Sequence, residues 1–260
     1  MKMRGIILAV AALLYTPLLP AQSGDDGNTD SPELPFLDLR RVELISGDAA
    51  AGKEKTQICA NCHGPDGIAV VTDFPNLAGL SADYMYWQLI RYKRGVNPSP
   101  MTPLVADLSE QDMRDLSVYY ESLPVPSAVP AGDEEPAGDL TPALLHKGKQ
   151  LYLAGDPARG IPACQGCHGA DARGPAAAHR ILPGGQAPYA AYPALRGQHY
   201  GYLQTKLAGY RDGDMDDSTS GFVMTGVAET LDDDAIQAVA GWLSSLQIGA
   251  SPTPTSPPIR

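Results

Sequence analysis

Apolar and aromatic residues recur at three- to four-residue spacing in several separate stretches, and no stretch shows sustained strand alternation. A helix is predicted from Asp48 towards Cys59. A second fits Ser81 to about Arg94, with Tyr84, Leu89 and Tyr92 on its inner face and Gly95 as its stop. A third fits Ser109 to about Leu123, where Ser109 and Asp112 make a capping-box-like start and Met113, Leu116 and Tyr120 follow at helical spacing. Three more begin at Thr141-Pro142, near His199 (running to Tyr210) and around Asp232, the last carrying Ile236, Val239, Ala240 and Leu243. The fold class is therefore all-α.

Between these stretches the pattern fails in informative ways. Residues 1–21 carry Lys2 and Arg4, then an apolar run from Ile6 to Leu19, and read as an export signal cleaved near Ala21. That run is short for a membrane span, which takes about 20 apolar residues, and the alternative reading is an uncleaved N-terminal anchor. Residues 22–47 read as an acidic, flexible leader, 124–140 as a Pro- and acid-rich linker, and 249–260 as a Pro-rich tail. The linker is long and acidic, which argues against close packing of what it joins. Hydrophobic residues make up 43% of the 260, enough for folded cores. The formal net charge of −11 argues against nucleic-acid binding, which needs cations to neutralise phosphates.

The two blocks left over, 48–123 and 141–248, repeat one another. Cys59-Ala60-Asn61-Cys62-His63-Gly64 matches Cys164-Gln165-Gly166-Cys167-His168-Gly169, and Phe74-Pro75-Asn76-Leu77-Ala78-Gly79 matches Tyr192-Pro193-Ala194-Leu195-Arg196-Gly197. Tyr84, Leu89, Tyr92 and Gly95 match Tyr202, Leu207, Tyr210 and Gly213 at one constant offset. Two insertions lengthen the second copy, the larger at about 175–190. A tandem duplication of one small domain follows.

Cys-x-x-Cys-His is the attachment motif of c-type haem. Two thiols one helical turn apart can add to the two vinyl groups on one porphyrin edge, and the adjacent His then supplies the iron's proximal nitrogen. A thioredoxin-like pair would need a strand–helix setting, and a zinc site would space its Cys pairs by roughly 15–20 residues. A disulfide framework leaves the His after each pair unexplained. Cys59, Cys62, Cys164 and Cys167 are thus the haem-attaching residues, with His63 and His168 as iron ligands, giving two covalent haem c groups. For the sixth position the first copy offers Met85, Met101 and Met113. Met85 and Met113 fall within helices and read as core, whereas Met101 lies in the Pro-rich run 97–103, an extended loop. The second copy offers Met215 and Met224; Met224 precedes Leu231 by the seven residues that separate Met101 from Leu108. Met101 and Met224 are the preferred ligands. Pro75 and Pro193 could each supply a backbone carbonyl to the proximal His ring. His146, His179 and His199 have no counterpart in the first copy and read as exposed or capping residues.

The motifs CANCHG and CQGCHG, the segments FPNLAG and YPALRGQ, the central Tyr-Leu-Tyr-Gly helices, and Met101 and Met224 ahead of LSEQD and LDDDA make the sequence resemble the dihaem cytochrome c4 family. The resemblance implies two tandem class I cytochrome c domains, each wrapped around one covalent haem under His/Met ligation. It also implies a periplasmic electron carrier without substrate chemistry of its own. Its expected partners are redox proteins, such as a membrane-bound oxidase or a dehydrogenase, with neither nucleic acid nor a small-molecule substrate. The alternative is the electron-accepting subunit of a dehydrogenase complex, for example sulfide- or alcohol-oxidising; a dihaem enzyme such as a peroxidase comes third. The Gly-Gln that ends the second copy's segment (Gly197-Gln198) is Gly79-Leu80 in the first.

Overall fold

The computed structural model describes residues 36–95, 99–124, 140–175 and 177–246. The expected export signal, most of the linker and the tail lie outside them. Among the described residues ten α-helices fall into two sets of five, and the only extended pairing is three isolated bridges. The first set is α1 (Ala49–Lys53), α2 (Gln57–His63), α3 (Ala82–Arg94), α4 (Met101–Val105) and α5 (Glu110–Ser122). The second is α6 (Pro142–Ala154), α7 (Gln165–His168), α8 (Tyr200–Arg211), α9 (Thr219–Ala228) and α10 (Asp233–Ser245).

The caps follow the sequence reading. Ser81 accepts from the Tyr84 N–H, and Gly95 ends α3 in the left-handed conformation (φ 64°). Ser109 and Asp112 form a reciprocal capping box, and Thr141 caps α6 ahead of Pro142. The helix expected from Asp48 to Cys59 is instead broken. Lys55 and Thr56 donate three residues back, to Gly52 and Lys53, which tightens the chain into a turn before α2 begins. In the second copy α6 stops at Gly155, and the extra residues that follow close on themselves through the Asp156–Ile161 bridge.

In each set the first helix crosses the last at a glycine. A Cβ on Gly52 would sit 2.1 Å from the Asp115 carbonyl oxygen, and one on Gly148 1.9 Å from that of Ala238. The helices can approach this closely only where one of them lacks a side chain. Gly148→Ala is therefore expected to force α6 off α10 and to cost about 1–3 kcal/mol, the usual range for overpacking, read as a lowered denaturation midpoint of the holoprotein. Beneath the crossings lie separate cores. Met85, Leu80, Leu116 and Tyr120 form the first, with Met113 fully buried nearby. Tyr152, Leu203, Leu231, Val239 and Leu243 belong to the second.

The two sets pack closely, contrary to what the long linker suggests. The Gln198 side chain accepts from the Asn76 N–H (3.0 Å) and donates to the Asn76 carbonyl (2.6 Å), pairing with backbone much as a neighbouring strand would. The Asn76 amide returns a bond to the Gly197 carbonyl, and Ser81 donates to Ala190. Arg91 of α3 meets Asp217, just ahead of α9, in a buried ion pair with Nε–Oδ1 at 2.8 Å. These contacts explain the Gln198/Leu80 departure. Leu80 fills the first core, whereas Gln198 joins the two halves. His199, expected to be exposed or capping, stands at the N-cap position of α8 but is buried and makes no side-chain cap bond; its ring instead hydrogen-bonds the Ala69 carbonyl across the interface at 3.0 Å.

The part of the expected flexible leader that the structure describes is packed. Leu37 pairs with Ser218, a 3-10 turn spans Leu39–Arg41, and Glu43 bridges to Gln186 in the second copy's insertion. Leu39 and Val42 are buried against Ala191, with Trp87 of α3 beside them. Among the described residues of this segment the acidic Asp38 and Glu43 are exposed, while Leu39 and Val42 turn inwards.

Candidate haem centres

Cys59, Cys62 and His63 all lie on α2, so spacings of three and four residues put both thiols and the ring on neighbouring positions of one helical surface. Cys164 stands at the start of α7, and Cys167 and His168 lie on it. The chain must turn away directly after each His. Gly64 and Gly169 do this at φ 76° and 78°, where a Cβ would meet the carbonyl oxygens of Ile68 (2.0 Å) and Gly174 (2.2 Å). That accounts for the glycine that follows both motifs.

Both histidines are about 95% buried, and desolvation lowers the pKa of each ring, keeping it neutral. His63 Nδ1 lies 2.9 Å from the Pro75 carbonyl oxygen and His168 Nδ1 3.0 Å from that of Pro193. A carbonyl only accepts, so Nδ1 carries the proton and Nε2 is left with the lone pair. Each ring is thus oriented and tautomerically set to coordinate through Nε2. Burial also raises the Cys59 thiol and pushes Cys164 up to about 11. That disfavours the thiolate which a zinc site or a redox-active pair would need. The four cysteines form no disulfide.

In the second half these groups open onto one large apolar cleft of about 1420 Å³, open solvent at its mouth included. Cys164, Cys167, His168 and Met224 all line it. Met215 does not; its methyl packs on Gly209 of α8. Part of the wall comes from the other half: Tyr84, Trp87, Gln88 and Arg91 lie at helical spacing on one face of α3. Neither the contribution of α3 nor that of Leu39 was apparent from the sequence, because both depend on how the halves pack.

The setting of Met101 differs from expectation. Met101 opens α4 rather than lying in a loop; Pro103 is tolerated because it falls in the first turn, where its missing N–H has no intrahelical partner. Met224 lies within α9, capped by Ser218. The hydroxyls of Thr102 and Thr225, each directly after its Met, are buried without a hydrogen-bond partner, as is the Trp87 indole N–H. A large apolar cleft with two thiols and a neutral imidazole in its wall, and with the unpartnered Trp87 indole among its lining residues, fits a porphyrin carrying polar substituents. Among the described residues no group of three or more His, Cys, Asp or Glu could hold a metal ion unaided. Nor is any described helix long and apolar enough to cross a membrane.

The cytochrome c family profile matches residues 145–247. The sequence is 32% identical over 220 residues to cytochrome c4 of Azotobacter vinelandii, covering 81% of this chain and 94% of that protein. It is 32% identical to a thiosulfate dehydrogenase electron acceptor of Stutzerimonas stutzeri, over 72% of this chain and 78% of the relative. The fold superimposes on the crystal structure of reduced recombinant cytochrome c4 from Pseudomonas stutzeri with a TM-score of 0.63 at 31% identity, covering 78% of this chain and all of that one.

Proposed function

The chain belongs to the cytochrome c4 family and is a dihaem electron carrier, and we propose that Cys59, Cys62, His63 and Met101 hold its first haem and Cys164, Cys167, His168 and Met224 its second. Bound haem supplies a one-electron iron(III)/iron(II) couple. The protein's own residues fix its position and its potential. The paired thiols anchor the porphyrin edge, so that the group is retained in an extracytoplasmic compartment. The His ring, tied to Pro75 or Pro193, gives a rigid nitrogen donor. A thioether from Met101 or Met224, as a further ligand of the same iron, would favour the reduced state and raise the potential. The observation that carries this reading is the convergence of Cys164, Cys167, His168 and Met224 on one cleft.

The domains are taken as 48–123 and 141–248, joined by the linker 124–140, and the protein as periplasmic after removal of residues 1–21. Its electrons come from a dehydrogenase or another respiratory donor and pass to a further redox protein. The relative described as the electron acceptor of thiosulfate dehydrogenase favours a dehydrogenase as donor. A redox titration followed in the visible spectrum tests the reading. Two one-electron steps are expected, with each oxidised haem showing the weak long-wavelength band of thioether-ligated ferric iron. Absence of that band from both haems would remove Met101 and Met224.

A further inference from the structure

We infer that residues 37–42 are a strap that holds α9, and with it Met224, in place in the wall of the cleft where it would ligate the second haem, Leu39 and Thr219 being its positioning residues. The inference rests on the reading of Met224 as that haem's ligand.

The strap is bonded to the first residues of α9 with unusual density. Leu37 N–H donates to the Asp217 carbonyl (3.0 Å), and Thr219 N–H donates to the Leu37 carbonyl (2.9 Å). The Thr219 hydroxyl accepts from Leu39 N–H at 2.9 Å and donates to the Leu37 carbonyl at 3.1 Å. Leu39 then inserts its side chain, 5% exposed, into the wall of the cleft that His168 and Met224 share. Beyond it the chain stays fastened. Val42 accepts from Ala187, Ile45 N–H donates to Asp83 at the start of α3, and Asp48 N–H donates to Asp115 of α5. One continuous segment therefore runs from the Met-bearing helix of the second domain to the frame of the first.

α9 needs such a hold. Its sequence, Thr-Ser-Gly-Phe-Val-Met-Thr-Gly-Val-Ala, contains two glycines and four β-branched residues, a poor helix former by intrinsic preference. Gly221 lets its first turn press on the preceding loop, where a Cβ would meet the Met215 carbonyl oxygen at 1.8 Å. Arg91 of the first domain grips Asp217 from the other side. The segment Asp217–Thr219 is thus held by both the strap and α3, and Met224 follows it by less than two helical turns.

The test is the rate at which imidazole replaces the thioether in the oxidised holoprotein, where each haem gives its own phase. Met224→Ala identifies the phase of the second haem. Thr219→Val removes the hydroxyl while keeping the shape, and should accelerate that phase by roughly tenfold, the factor that losing one or two part-buried hydrogen bonds supplies. Leu39→Ala should act in the same direction, and Thr219→Ser, which restores the hydroxyl, should return the native rate. The other phase should not move. If Met224→Ala accelerates one phase but both strap variants leave it unchanged, the strap inference fails while the ligand assignment stands. If the strap variants accelerate both phases equally, the segment acts on stability at large and the inference also fails. If Met224→Ala changes neither phase, the ligand assignment falls and takes the strap's role with it.

Discussion

Replacing both Cys164 and Cys167 by serine is expected to halve the covalent haem content and to leave the second half of the chain unfolded. The second core is not a free-standing apolar cluster beside a cofactor site. Tyr152, Ile161, Leu203, Leu231, Val239 and Leu243 belong to the core and also line the cleft. With nothing between them, these side chains would face a void or water. Apolar surface facing water costs about 25 cal/mol per Å², so even about 200 Å² left wet would cost about 5 kcal/mol, comparable to the net stability of a small domain. Serine cannot form the thioether links, and a single imidazole would hold the group only reversibly. Haem counted by pyridine haemochrome should fall from two per chain to one. Limited proteolysis should then cut within 141–248 while sparing 48–123. A double variant that still carries two haems, or resists proteolysis throughout, would contradict the assignment.

How far the sequence foretells this structure depends on how local the cause is. Caps at Ser81, Ser109 and Thr141 are visible because each is set by residues three positions apart. The two haem-binding motifs and the Pro75 and Pro193 carbonyls are visible because duplication puts each twice in the same frame. What the sequence hides is the surface between the halves. Gln198 looks like an unmatched letter until its amide is seen spanning Asn76, and His199 like a surface residue until it reaches Ala69. α9 is illegible for the same reason: its glycines and β-branched residues argue against a helix, and its contacts with Leu37, Leu39 and Met215 override them. The leader reads as solvated because its charges outnumber its apolar residues, yet Leu39 and Val42 find a buried surface that the second copy's insertion helps to build.

Exchanging the two candidate thioethers one at a time should separate the two irons. Met224→His is expected to lower one of the two potentials by an amount on the order of 0.1–0.3 V, well inside the ~0.8 V that axial ligands span, and to leave the other nearly where it was. The sign follows from donor character. Imidazole is a harder base than a thioether and stabilises the ferric state, whereas sulfur favours the ferrous one. The site permits the exchange because Met224 is only partly buried in the cleft wall, so that a ring can replace the thioether chain without entering a packed core. Met101→His should lower the complementary potential, since Met101 opens α4 as a partly buried residue. Two further methionines give the contrast. Met113 is fully buried on α5 and Met215 packs on Gly209, so Met113→Leu and Met215→Leu should leave both potentials and both long-wavelength bands intact. Were Met215→Leu to abolish the second haem's band while Met224→His spared it, the wrong sulfur would have been assigned. The placement of Met224 beside His168 in one cleft would then describe packing rather than ligation.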